Sequence, residues 1–342
     1  MRLEGQCRAQ EACRICQRDA GAASREPELL IHVQTRESLP FVAGDPRSPS
    51  RRDPDAGLRS SLTRIQIIPL LASQGFEILA LDWVGFGGSD KPLKAETISF
   101  ELHMRTLMAL LEAYQLEEVH ILAHDWGGCV ALSTIPQLAR PDTCKSVMLL
   151  NSFFAPRPSD VTLNAYALYL LWLCAQGLLD GYVPEEAIIR FLAPSVTESV
   201  AKGYAAPFPT VPSKAAVTRF ARMVPGLPQL VYRLFESPIG RMIDGMCAPD
   251  SFSSLHEQIR LRKRDEGVRA FWSSGEASIR VGVVFGNRDS LLGDFFGTLC
   301  NEIHTAHGEP DRHLLEGAGH YAAEERPEDI ARISGKFASL GA

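Results

Sequence analysis

A sharp turn between a predicted strand and a predicted helix constrains the fold of this chain more than any other feature. The apolar, strand-like residues 119–123 are followed closely by Asp125, and a helix-like segment begins at the next residue. Ala123 and Gly127, two positions away on either side of Asp125, are small, as the strained turn of a nucleophile elbow requires. An elbow would present the Asp125 carboxylate at the end of a sheet. The alternative, an ordinary N-cap aspartate, would only cap the helix.

Strand-like and helix-like runs alternate over much of the chain, which is typical of a mostly parallel sheet covered by helices on both faces. The predicted strands are residues 76–82, 119–123, 147–150, 281–285 and 313–315, and the predicted helices include residues 100–114 and 327–338. Between residues 155 and 251 the alternation gives way to helical segments punctuated by prolines. We therefore expect an α/β core over residues 26–154 and 252–342, an inserted helical cap over residues 155–251, and a disordered segment over residues 1–25.

The composition excludes several classes of protein. A formal net charge of -6 leaves no basic surplus for binding nucleic acid or an anionic membrane, and the most apolar stretch, residues 165–179, is too short to span a bilayer. Eight scattered cysteines without a signal peptide indicate a reducing cytoplasm rather than a disulfide framework. Cys7, Cys13 and Cys16 have no second Cys or His pair nearby to complete a zinc site. We therefore expect a cytoplasmic monomer with no metal and no cofactor.

An acid and a histidine follow the elbow in the order that a hydrolase of this kind requires. Asp289 comes shortly after the strand predicted at residues 281–285, and His320 ends the glycine-containing loop 317–320. Asp289 would hold the tautomer of His320, and His320 would activate a water molecule. A carboxylate nucleophile such as Asp125 displaces a leaving group from an sp³ carbon and forms an ester that water then cleaves. This chemistry indicates a small apolar substrate, either an alkyl halide or an epoxide.

The two neighbours of Asp125 are expected to differ in role. Trp126 carries an indole N–H that only donates, so it would hold a departing halide in a dry pocket, with core packing as the alternative. His124 is expected to be structural, because its side chain would point away from the tip of the elbow.

These segments resemble the haloalkane dehalogenases of the α/β-hydrolase fold, in the subfamily whose acid follows the strand after the cap. The matching segments are residues 82–92, 124–128, 204–209, 289–293 and 317–320, and the resemblance extends over roughly residues 65–340. The resemblance implies Asp125 as the nucleophile, Asp289 as the acid and His320 as the base. It also implies Trp126 as a halide ligand. The elbow is shared with epoxide hydrolases, whereas the cap and acid-loop segments are more particular to dehalogenases.

Two segments depart from the pattern of that family. Its oxyanion-hole motif, His-Gly-x-Pro, corresponds here to residues 43–46, Ala-Gly-Asp-Pro, so the backbone N–H of Asp45 would join that of Trp126 in stabilising the oxyanion. Close relatives carry a second halide-binding tryptophan directly before an Ala-Pro pair, where this chain has Leu192, which donates no side-chain hydrogen bond. Trp172 is the candidate substitute, with core packing as the alternative.

Three functions stay open at this point. The first is hydrolysis of haloalkanes. The second is hydrolysis of epoxides, which needs an acidic O–H from the cap. The candidate donors are Tyr166, Tyr169, Tyr182, Tyr204 and Tyr232. The third is a catalytically impaired relative, because the altered residues 43–59 put the oxyanion hole in question.

Overall fold

The computed structural model describes residues 29–35, 62–94, 97–113, 118–154, 167, 171, 184–222 and 255–340. Several sequence-based predictions lie outside the described residues: the disordered segment 1–25, the cysteines within it, Asp45 with its motif, Trp172, and the candidate donors Tyr166, Tyr169, Tyr182 and Tyr232. Of the predicted cap, the described part is residues 184–222 together with residues 167 and 171.

Six parallel strands form the central sheet in the described part of the chain. They are β1 (Leu29–Thr35), β2 (Glu77–Leu81), β3 (Val119–Asp125), β4 (Cys144–Ser152), β5 (Arg280–Gly286) and β6 (Asp311–Leu315). Their spatial order is β2-β1-β3-β4-β5-β6, which confirms the predicted parallel sheet. Because the carboxyl ends of parallel strands meet at one edge, the end of β3 lies beside the ends of β1 and β4, with Thr35 and Ser152 opposite Asp125.

Some strands differ from their predicted bounds. β3 continues through His124 and Asp125, because both residues are still paired with β1, although their polar side chains end the apolar run. β1 is not among the predicted strands. Its sequence, Leu-Leu-Ile-His-Val-Gln-Thr, alternates apolar and polar residues over positions 31–34, which was the available signal.

Helices cover both faces of the sheet. They are α1 (Leu62–Ala72), α2 (Phe100–Ala113), α3 (Trp126–Thr134), α4 (Glu185–Leu192), α5 (Glu198–Ala205), α6 (Ala215–Arg222), α7 (Leu255–Ser273), α8 (Phe295–Glu302), α9 (Ala322–Glu325) and α10 (Pro327–Ser339). Ile121 and Ala123 of β3 pack with α2, α3, α7 and α8, whereas Leu122 packs on the opposite face with α1 and α10. The predicted helices over residues 100–114 and 327–338 are confirmed as α2 and α10. No helix in the described part of the chain is long and apolar enough to cross a membrane.

Helices α4, α5 and α6 fall within the segment predicted to form a cap. Leu192 of α4 and Tyr204 of α5 belong to one apolar cluster with Tyr321, which follows the loop of the predicted base (the base loop, residues 317–320). Lys214 and Glu185 form a largely buried ion pair of 2.8 Å that ties α4 to the turn before α6. These contacts place α4 and α5 beside the predicted base, His320. The interpretation of residues 155–251 as one cap stays a prediction.

Candidate active site

Asp125 lies at a strained turn between β3 and α3. Its backbone angles are φ 51° and ψ -122°, in a region that residues other than glycine seldom occupy. Ser152 Oγ donates a hydrogen bond to the backbone oxygen of Asp125 (2.8 Å), and Gly128 packs so closely against Ser152 that a Cβ atom would not fit. The Asp125 side chain makes no capping hydrogen bond to α3. The turn is therefore an elbow, and the ordinary N-cap alternative is wrong.

The predicted acid, base and nucleophile come together although they are far apart in the sequence. His320 Nδ1 lies 3.0 Å from Asp289 Oδ2, and His320 Nε2 lies 3.9 Å from Asp125 Oδ1. All three side chains are buried. Because an ionised carboxylate only accepts hydrogen bonds, Nδ1 of His320 is the donor to Asp289, and the other ring nitrogen faces Asp125. This arrangement can take up or release a proton at Nε2 while Asp289 holds the opposite side of the ring.

Hydrogen bonds keep the Asp289 carboxylate ionised in spite of its burial. Oδ1 accepts from the backbone N–H groups of Leu291 (2.9 Å) and Leu292 (3.0 Å). Oδ2 accepts from Asn151 Nδ2 (2.8 Å) and from His320. Burial raises the pKa of Asp289, but the charge of His320 and the hydrogen bonds to the carboxylate outweigh it and lower this pKa to about 2. Asp289 is therefore a hydrogen-bond acceptor for His320 at neutral pH.

Asp289→Asn should lower the free energy of unfolding at pH 7 by about 2 kcal/mol. The pKa of Asp289 is about 2 in the folded chain and about 4 in the unfolded chain, so the ionised carboxylate stabilises the fold fully above about pH 4. This contribution is lost as the pH falls through about 2. Urea unfolding at pH 7 and at about pH 3 should give a difference between variant and wild type that shrinks toward the lower pH. A difference of constant size would contradict the lowered pKa.

Asn151 is a residue of the site that the sequence analysis missed. It lies near the end of β4 with a positive φ of 40°. Its Nδ2 donates to Asp289 Oδ2 (2.8 Å) and to the backbone oxygen of Gly319 (3.3 Å). The available signal was a polar residue directly after an apolar strand, at the edge where parallel strands end. Asn151 thus joins the loop of the predicted acid to the loop of the predicted base.

The base loop, residues 317–320, packs tightly against the end of β5. A Cβ atom on Gly286 would collide with the backbone oxygens of Ala318 and Gly319. Gly286→Ala should therefore lower the free energy of unfolding by about 1–3 kcal/mol, because the loop must shift to make room. Gly267→Ala is the matched control, since nothing lies within 4 Å of the added carbon in α7. It should instead stabilise the chain by up to about 1 kcal/mol through helix propensity. Urea unfolding measures both values, and effects of the same sign would contradict the close approach.

Trp126 lies in an aromatic enclosure directly after Asp125. Its ring centroid lies 5.2 Å from that of Phe220 in α6, 5.4 Å from that of Phe153 and 6.1 Å from that of Phe100. The Trp126 side chain is buried among these rings. The surroundings are therefore apolar, as the sequence analysis expected. Halide binding by the indole N–H stays a prediction.

Two other residues named in the sequence analysis contact the base loop and the helix after it. Leu192 is buried at the end of α4, and its backbone oxygen accepts a hydrogen bond from the backbone N–H of His320 (3.0 Å). Leu192 therefore contacts the base loop through its backbone, at the position where a halide-binding tryptophan was expected in relatives. Tyr204 donates its hydroxyl to Glu324 Oε1 (2.7 Å) in a buried pair. The other four candidate tyrosines lie outside the described residues.

Comparison with known proteins agrees with this fold. A family model described as the alpha/beta hydrolase fold matches residues 56–190. The parallel sheet, this match and the similar solved structures show that the chain has the α/β-hydrolase fold.

The resemblance to haloalkane dehalogenases is also confirmed. Haloalkane dehalogenase 1 of Mycobacterium tuberculosis is 26% identical over 267 residues, which are 78% of this chain and 75% of that protein. The tetrameric haloalkane dehalogenase DpaA from Paraglaciecola agarilytica NO2 has a similar structure, with a TM-score of 0.64 at 21% identity, over 91% of this chain and 84% of that chain. Bifunctional epoxide hydrolase 2 of Mus musculus is 32% identical over 95 residues, 28% of this chain and 17% of that protein. The fold and these relatives support a hydrolase.

Proposed function

We propose that this protein hydrolyses the carbon–halogen bond of small apolar haloalkanes. The observation that carries the proposal is the carboxylate of Asp125 at the tip of a strained elbow, 3.9 Å from the His320 ring nitrogen that Asp289 does not hold. A hydroxyl at this position would suit acyl transfer. A carboxylate instead suits displacement at a saturated carbon, because attack on an acyl group would give a reactive anhydride.

In the first step, Asp125 Oδ1 or Oδ2 attacks the carbon that bears the halogen. A C–O bond forms as the C–X bond breaks, and the bonding electron pair leaves with the halide. The products are an alkyl ester of Asp125 and a free halide ion. The indole N–H of Trp126 would donate to the departing halide, and the surrounding rings of Phe100, Phe153 and Phe220 favour a dry site in which that hydrogen bond is strong.

In the second step, water cleaves the ester. His320 Nε2 takes a proton from the water as its oxygen bonds to the Asp125 carbonyl carbon, and Asp289 stabilises the imidazolium that forms. The tetrahedral oxyanion would be stabilised by the backbone N–H groups of Trp126 and Asp45. Its collapse expels the alkoxide, which takes the proton from His320 and leaves as an alcohol. The Asp125 carboxylic acid that remains loses the second proton of the water to the solvent, and the carboxylate is restored. The sum of both steps converts haloalkane and water into alcohol, halide and a proton, with no cofactor.

The enclosure around Trp126 supports a small apolar substrate. The three rings beside Trp126 are uncharged phenylalanine side chains. Burial of an apolar chain against such rings contributes about 25 cal/mol for each Å² removed from water. The proposed cap over residues 155–251 supplies one of these rings, Phe220 of α6, so the cap would help to set substrate size. A cytoplasmic location and a monomeric state stay predictions.

Epoxide hydrolysis is the second candidate, and the partial similarity to Bifunctional epoxide hydrolase 2 favours it. The same attack by Asp125 would open an epoxide ring, provided that an acidic O–H protonates the ring oxygen. Tyr204 already donates its hydroxyl to Glu324, so this residue is a poor donor to a substrate. The epoxide reaction would therefore need one of the four other tyrosines: Tyr166, Tyr169, Tyr182 and Tyr232.

Halide release from short bromoalkanes, measured beside diol formation from styrene oxide, separates the candidates. We expect bromide and the matching alcohol in equal amounts from 1-bromobutane and 1,2-dibromoethane. Diol formation without halide release would establish the epoxide alternative and overturn the proposal. No product from either panel, with a folded protein, would establish the third hypothesis of a catalytically impaired relative.

A further inference from the structure

Every backbone hydrogen-bonding group of Gly319 and His320 has a partner from a different part of the fold. The Gly319 N–H donates to Glu325 Oε2 (2.5 Å), and the Gly319 oxygen accepts from Asn151 Nδ2 (3.3 Å). The His320 N–H donates to the Leu192 oxygen (3.0 Å). The His320 oxygen is hydrogen-bonded to the His124 side chain, whose Nε2 lies 2.9 Å away. The backbone that carries the imidazole of His320 is therefore fixed on all sides.

The bond from His124 differs from the other three because it begins next to the proposed nucleophile. His124 directly precedes Asp125 in β3, so one strand end carries both the attacking carboxylate and a bond to the loop of the base. A carbonyl oxygen only accepts hydrogen bonds, which makes Nε2 of His124 the donor. The His124 ring also lies against the His320 ring, with 4.9 Å between their centroids. Both side chains are fully buried.

Orientation of the His320 ring depends on the backbone that His124 holds. The Cα–Cβ bond of His320 projects from the same residue whose carbonyl group is bonded, so rotation of that carbonyl would swing Nε2 away from Asp125. A displacement of about 1 Å at a reacting group can cost about 100-fold in rate. We propose that His124 is a positioning residue, which sets the imidazole of His320 against the ester formed on Asp125. This inference rests on the proposed function, since it concerns the hydrolysis of that ester.

The two steps of the proposed reaction should respond differently to loss of the His124 bond. Formation of the ester uses the carboxylate of Asp125. The β3 pairing and Ser152 hold the backbone of Asp125, and neither contact involves the His124 side chain. Hydrolysis of the ester uses His320 Nε2. We therefore expect His124→Leu to release the first equivalent of bromide at close to the wild-type rate and to hydrolyse the ester about 10- to 100-fold more slowly.

Two further variants separate positioning from general stability. In His124→Gln, the amide N–H₂ lies at about the reach of Nε2, so this variant should restore the donor and most of the ester hydrolysis rate. His120→Leu is the matched control, because His120 is a buried histidine of the same strand that bonds Ser146 Oγ (2.7 Å). It should lose stability, as His124→Leu does, while both steps keep their wild-type rates.

The experiment is rapid-quench measurement of bromide release and of the ester, by intact mass, with 1,2-dibromoethane and the three variants. We expect slow ester hydrolysis in His124→Leu. The rate should be largely restored in His124→Gln and unchanged from wild type in His120→Leu. If His124→Leu hydrolyses the ester at the wild-type rate, or if it slows both steps to a similar extent, the positioning role is overturned while the proposed function stands. A wild-type protein that releases no bromide and forms no ester overturns the proposed function and this inference with it.

Discussion

Asp125→Ala should abolish bromide release from short bromoalkanes, with a fall of at least about 10⁴-fold in turnover. The variant lacks the carboxylate that forms the C–O bond, and no ester can then be hydrolysed. The fold should persist, because the turn is held by the pairing of β3 and by Ser152 Oγ on the backbone oxygen of residue 125, none of which involves the side chain. Alanine is strained at φ 51° much as aspartate is, so the variant tests chemistry rather than folding.

Asp311→Ala is the matched control for this loss. Asp311 is an exposed aspartate of the edge strand β6, and its closest basic partner is Arg280 at 3.5 Å. An exposed ion pair of this kind contributes about 1 kcal/mol or less to stability. The control should therefore release bromide at the wild-type rate. Residual turnover in Asp125→Ala would mean that water attacks the substrate directly, with His320 as its base, and would contradict covalent catalysis.

With the proposed mechanism, each His320→Phe molecule should react once and then stop. Ester formation needs no base, so we expect a burst of about one bromide for each protein molecule. Hydrolysis of the ester then loses its general base, which contributes about 10²- to 10⁴-fold to such a step. Phenylalanine keeps an aromatic ring against His124 and Tyr321, so the packing of the base loop should be preserved.

The time course of bromide release separates this outcome from simple inactivation. Asp289→Asn should also slow hydrolysis of the ester, but by less than His320→Phe does. The imidazole of His320 is still present in this variant, and only its hydrogen-bond partner changes. Continued turnover of His320→Phe at the wild-type rate would show that His320 is not the base. The absence of any burst in a folded protein would place His320 in the first step instead.

The sequence predicted those parts of the site that depend on order along the chain. The elbow at Asp125, the acid after β5 and the histidine in the base loop follow one another as strand, turn and loop, and parallel topology brings such strand ends together. The sheet and helices α2 and α10 were predictable for the same reason, because their hydrophobic periods are local properties.

Contacts across the fold were not predictable in this way. Asn151 acts on Gly319, a residue 168 positions later, through a side chain whose direction depends on a positive φ. The prediction for Leu192 considered only its side chain, which donates no hydrogen bond. In the fold, its backbone oxygen accepts a hydrogen bond from the His320 N–H. His124 was expected to be structural because it points away from the elbow tip. Only the packed structure shows that it points to the carbonyl group of the proposed base.

The central claim is that Asp125 forms a covalent ester with the substrate. Intact mass spectrometry of His320→Phe after exposure to 1,2-dibromoethane, followed by peptide mapping, tests it most directly. Cysteine alkylation is the competing outcome. Burial raises the pKa of Cys129 and Cys144, the latter to about 12, so these two thiols should react slowly. We predict one bromoethyl group for each chain, located on the peptide that contains Asp125 and missing in the Asp125→Ala/His320→Phe double variant. An unmodified Asp125, or an adduct that persists in the double variant, would contradict the account.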